Sequence, residues 1–86
     1  MKHVELKEND LVIFKRYCDI LKKNDYQDGN VIRVRPDSKV VDICWLEGYQ
    51  SRIDTVDFKN VIAKHDRNGI TMRFGAYVGN SVLLEI

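Results

Sequence analysis

Gly29-Asn30-Val31-Ile32-Arg33-Val34-Arg35-Pro36-Asp37-Ser38-Lys39-Val40-Val41-Asp42-Ile43-Cys44-Trp45-Leu46 decides the fold. Two runs rich in β-branched residues flank Pro36-Asp37-Ser38. Proline presets φ for a turn and the small polar residues complete it, so the segment reads as a β-hairpin. In the second run Val41, Ile43 and Trp45 share one face of a strand, and Asp42 marks the opposite face as solvated. In the first run Ile32 and Val34 are expected to point into the core, leaving Arg33 and Arg35 outside.

Working outward, the period-two pattern continues. Glu47-Gly48-Tyr49-Gln50 is the next turn, and Arg52 to Val56 alternates Arg52 and Asp54 against Ile53 and Thr55. Upstream, Asn9-Asp10 precedes the apolar strand Leu11-Val12-Ile13-Phe14. Four short strands in succession make an antiparallel meander. Val61-Ile62-Ala63-Lys64 adds a fifth. Asp66-Arg67-Asn68-Gly69 then supplies a hairpin turn, because Asn-Gly tolerates positive φ. Ile70 to Tyr77 and Ser81 to Ile86 form a C-terminal hairpin, with Ile70, Met72 and Phe74 on one face and Val82, Leu84 and Ile86 on another. This tail is expected to extend the sheet, cover an open edge or pair with a second subunit. Tyr17 to Asp28 breaks the pattern and reads as a long connection with a helical turn at Ile20-Leu21-Lys22-Lys23; long loops on small domains commonly carry function.

At 86 residues the chain is one domain, residues 1–86. Its formal net charge of +1 is far below that of a protein that wraps nucleic acid by charge alone. The two cysteines, Cys18 and Cys44, share no short spacing, no secretory signal is visible, and no apolar run reaches membrane-spanning length. The reading is a reduced, cytoplasmic protein with no membrane partner. His3, His65, Cys18 and Cys44 are too scattered for a metal site, and the dispersed glycines make no phosphate loop, so no cofactor is expected. Cys18, His65 and Asp66 have no spacing that would force a catalytic constellation, and the chain is read as a non-enzyme.

Residues 10–64 resemble Tudor-like and KOW-type domains of the SH3-like barrel superfold. The resemblance rests on Leu6-Lys7-Glu8-Asn9-Asp10-Leu11-Val12, similar to the polar turn and strand that open such barrels, where glycine commonly sits near Asn9. It rests also on Gly29-Asn30-Val31-Ile32-Arg33-Val34, similar to their second strand. Finally, Val56-Asp57-Phe58-Lys59-Asn60-Val61 looks like the helical turn before the fifth strand, with Phe58 plugging the barrel end. It implies an all-β fold: a small, partly open SH3-like barrel over residues 10–64, with residues 65–86 an added hairpin.

Tudor domains bind methylated lysine or arginine in an aromatic cage, by cation–π attraction. Here Tyr17, Tyr26 and Tyr49 are the rings that the resemblance places at one end of the barrel; Gly48 follows Glu47 where the family carries an aromatic. KOW-type relatives contact RNA or the transcription and translation machinery. The expected function is non-catalytic protein binding by that loop end, through Tyr17, Tyr26, Tyr49, Arg33, Arg35 and Arg52. The alternative is RNA or DNA binding by the outward arginines with the loop tyrosines. The expected partner is a protein, with nucleic acid the second candidate and a homodimer through the C-terminal strand a third.

Overall fold

The computed structural model describes the backbone of residues 3–78 and 81–84, and the side chains of residues 5–74. The chain is all-β. The strands are β1 (His3–Glu5), β2 (Leu11–Cys18), β3 (Lys23–Arg35), β4 (Val40–Glu47), β5 (Gln50–Asp57), β6 (Val61–His65), β7 (Thr71–Val78) and β8 (Ser81–Leu84), with a 3-10 turn at Phe58–Asn60 between β5 and β6. They bond neighbour to neighbour in the order β1-β8-β7-β6-β2-β3-β4-β5, every pair antiparallel. The sheet curls around one core without β5 closing onto β6, which makes a small, partly open barrel with a hairpin, β7–β8, added beside it.

The core forms where alternation from several strands converges. Val12 and Phe14 on β2, Val31 on β3, Val41 and Ile43 on β4 and Val61 on β6 are completely buried. Leu6, Trp45, Val56 and Phe58 complete the cluster, so Trp45 lies inside as the pattern of β4 requires, and Phe58 packs at the barrel end from its 3-10 turn. Asn9 takes a left-handed conformation (φ 73°), which asparagine tolerates better than most residues. The turn is tied down on both sides: Asn9 N–H donates to Val31 O at 2.7 Å, and Val31 N–H to Asp10 O at 2.9 Å.

Several expectations are corrected. Ile32 does not enter the core. A β-bulge between Val31 and Arg33 inserts it as an extra residue, so Val31 is buried, Ile32 is 43% exposed and Val34 returns to the inner side. An added residue reverses the phase of everything before it. Asp42 is not solvated but buried, because Thr55 and Arg35 satisfy both carboxylate oxygens. On β5 it is Ile53 that faces water and Asp54 that turns toward the inner side, where it accepts a bond from Trp45.

The connection after Tyr17 is no long loop and holds no helical turn. β2 and β3 pair residue for residue from Leu11↔Asn30 to Cys18↔Lys23, with a tight turn at 19–22. Ile70 lies exposed in a turn ahead of β7. There Asp66 Oδ1 accepts the N–H groups of Asn68 and Ile70, each at 2.8 Å, and Gly69 supplies the positive φ of 81°. The side chains of Val82, Leu84 and Ile86 lie outside the described residues. β8 is not an edge: β1 pairs with one side of it and β7 with the other.

Candidate functional site

β3 is far longer than the strands beside it because its first residues pair only with β2. The result is a two-stranded ribbon that runs on beyond β4, largely exposed toward its turn, with Arg16 lying over Trp45 on one face and Tyr26 bordering β6 and β7 on the other. Polar residues at Asn24, Asp25, Gln27 and Asp28 suit such a ribbon and explain why it shows no clean alternation. Its apolar side chains are conspicuous by contrast. Tyr17 is 57% exposed, Tyr26 61%, and Ile20 and Leu21 in the turn 92% and 54%. Tyr26 pairs with Lys15, two residues from Tyr17, so both rings stand on one face of the ribbon.

Tyr49 sits at the same end of the molecule. Cys44 pairs with Asn30, and β4 runs from there toward the ribbon before turning at Gly48-Tyr49. Gly48 has φ 61°, the value that the first position of a two-residue hairpin turn demands. Tyr49 is fully exposed and Arg52, in the same hairpin, ion-pairs with Glu47 at 3.4 Å. The structure thus brings Tyr17, Tyr26, Tyr49 and Arg52 to one end, although no ring contact joins the tyrosines among the described residues.

Arg33 and Arg35 do not join them. They lie toward the Pro36 turn at the opposite end, Arg35 about 30 Å along the strand from Tyr26. Arg35 is engaged there: its guanidinium donates to Asp42 Oδ2 at 2.7 Å while Thr55 Oγ1 donates to Asp42 Oδ1 at 2.7 Å. The Thr55 bond, and after it Arg35, hold the Asp42 carboxyl below the usual aspartate range, against the upward push of burial. A carboxyl with a lowered folded-state pKa contributes stability above its unfolded value of about 3.9 and loses it as pH falls through the folded value. Asp42→Ala is accordingly expected to cost about 1–3 kcal/mol at neutral pH and to flatten the acid limb of stability. Urea titrations between about pH 2 and pH 6 check this; parallel curves for variant and parent would refute it.

Sequence reasoning missed the group at the barrel mouth. Trp45 stacks its ring under the Arg16 guanidinium at 4.4 Å, meets Phe14 edge-on at 6.4 Å, and donates Nε1–H to Asp54 Oδ2 at 2.9 Å. The partners come from β2 and β5, which only the strand pairing brings together; nothing local to Trp45 announces them. A cavity of about 430 Å³ opens beside Trp45 on the outer side, between Leu11, Gly29, Cys44 and Leu46. A second, of about 460 Å³, lies between Tyr26, Ile13, Ile62 and Arg73.

Among the described residues no three His, Cys, Asp or Glu side chains converge on a point where a metal could bind, and no helix is long and apolar enough to cross a membrane. Comparison with known protein families, with curated proteins and with solved structures finds no match.

Proposed function

We propose that this chain is a non-catalytic module that docks on another protein through the far end of the β2–β3 ribbon and the neighbouring β4–β5 turn. One observation carries the reading. Tyr17, Ile20, Leu21 and Tyr26 are all more than half exposed on the β2–β3 ribbon. Scattered apolar residues on a surface need no explanation, but a group of large ones does. Tyrosine suits the role because it offers wide contact area with few rotatable bonds.

The engagement of the arginines supports protein over nucleic acid as the ligand. Arg35 is held by Asp42 and Arg16 by the Trp45 ring, and Lys15, Lys22 and Lys23 on the ribbon are interleaved with Asp19, Asp25 and Asp28. Phosphate binding needs cations free to exchange their counterions. A cytoplasmic setting fits the free thiols of Cys18 and Cys44. A Tudor-like or KOW-type relationship is supported by the left-handed turn at Asn9 and the 3-10 turn before β6.

The test uses a photoreactive phenylalanine derivative in place of Tyr26, irradiated in the source cell. Protein adducts are expected, and they should vanish when Ile20→Asp and Leu21→Asp are introduced together. Because both residues are exposed, that double variant should change folding stability by no more than about 0.5 kcal/mol per site. Anisotropy with a single-stranded RNA at about 50 and 200 mM salt supplies the counter-test. Salt-sensitive RNA binding without protein adducts would overturn the proposal in favour of nucleic acid.

A further inference from the structure

We infer that β5 is a self-complementary edge that pairs antiparallel, about Ile53, with β5 of a second copy of this chain. Among the described residues the sheet has two outer strands, β5 and β1, and β1 is described over His3–Glu5. β5 has eight residues, Gln50–Asp57, and among the described residues bonds only to β4. Every second residue of an edge strand turns its N–H and C=O away from the sheet, where another strand can take them.

Edge strands are commonly protected by proline, a bulge, a very short length or charged side chains. β5 has only the last, and Arg52 and Asp54, of opposite sign, repel a foreign strand less than they complement a second β5. Its register with β4 is unbroken from Val40↔Asp57 to Glu47↔Gln50, whereas the pairings of β2 with β6, β3 with β4 and β7 with β8 each carry an irregularity. On the open side a groove of about 270 Å³, lined by Lys15, Arg16 and Asn60 among others, separates β5 from β2.

The order of its residues selects the occupant. Ser51-Arg52-Ile53-Asp54-Thr55 is chemically palindromic about Ile53. Two copies laid antiparallel about that residue put Arg52 opposite Asp54 twice, Ser51 opposite Thr55 twice, and Ile53 opposite itself. Opposite charges and hydroxyl pairs across neighbouring strands are favourable contacts, and a two-fold axis makes each count double. The groups are available. Ile53 is 64% exposed, Arg52 is held only by an exposed Glu47 at 3.4 Å, and Asp54 gives one oxygen to Trp45 while the other remains. On the outer face Ile53 adjoins Cys44, with exposed Leu46 on the same strand; the joined sheets would gather these apolar groups from both copies.

Sedimentation equilibrium from about 10 μM to about 1 mM tests the inference. A monomer–dimer equilibrium is expected. Ile53→Lys sets like charges on the axis and should weaken the dimer roughly tenfold or more. Arg52→Glu and Asp54→Lys should each weaken it similarly. An equimolar mixture of those two variants sets an acid opposite a base at both positions and should restore association as a heterodimer. Circular dichroism confirms folding, and Ile53→Lys, at an exposed position, keeps the test decisive if Asp54→Lys fails to fold. A monomer at every concentration, a dimer indifferent to these changes, or folded single variants that do not recover on mixing would each overturn the inference.

Discussion

Trp45→Ala is expected to cost about 3–5 kcal/mol of folding stability, in the range for truncating a buried aromatic. Small domains hold about 5–15 kcal/mol in all, so the variant should stand near the edge of folding. Three separate losses add up. The indole fills the centre of the β4 face against Phe14, its ring carries the Arg16 guanidinium, and its N–H satisfies Asp54. Removing it leaves a cavity and an inner-side carboxylate without its donor. Trp45→Phe separates these contributions: it keeps most of the apolar contact, drops the Asp54 bond, and should cost about 1–3 kcal/mol. Urea unfolding followed by far-ultraviolet circular dichroism measures both. A loss below about 1 kcal/mol for the alanine variant would mean that the ring is not where the barrel needs it.

Gly29→Ala should cost about 1–3 kcal/mol, an unusually large effect for adding a single methyl group. The reason is the tightness of the layer beneath. A Cβ at Gly29 would collide with Cγ2 of Ile43 and lie 3.0 Å from the carbonyl oxygen of Cys44 and 3.2 Å from Cβ of Trp45. The Ile43 methyl could turn aside; a backbone oxygen and a Cβ cannot without moving β4. Gly29 pairs with Val12 at the point where β2, β3 and β4 come together, so any displacement spreads through the core. Gly29→Val should be worse. Trp45 fluorescence in urea gives the measurement, and a variant as stable as the parent would refute the close packing of β3 on β4.

The inner face of β4 was legible in the sequence because Val41, Ile43 and Trp45 alternate without interruption, and the turns at Pro36, Gly48 and Asn68-Gly69 announce themselves through backbone chemistry. The phase of β3 was not. A bulge adds one residue without any compositional mark, and it sends Ile32 outward and Val31 inward. Asp42 went astray for a different reason. A carboxylate reads as solvated until its donors are known, and Thr55 and Arg35 arrive from the neighbouring strands β5 and β3. The ribbon stayed hidden because most of the residues it adds are exposed, so Asn24 to Tyr26 show no apolar alternation. For the site, the tyrosines and Arg52 could be found as exposed residues near turns; that Arg33 and Arg35 belong to the far end follows only from the register of β3 with β4.

The place of β1 in the sheet bears on how the chain reaches this structure. Residues of β2 to β6 find their partners within the first three-quarters of the sequence, so that unit is able to assemble while synthesis continues. β1 precedes these strands in the chain and yet, among the described residues, pairs with β8, with His3 meeting Leu83. Closing so wide a span is entropically slower than forming any of the inner hairpins. The β1–β8 pairing is therefore expected to form after the inner hairpins, so that β1 stays unpaired until the β7–β8 hairpin is in place to clasp it.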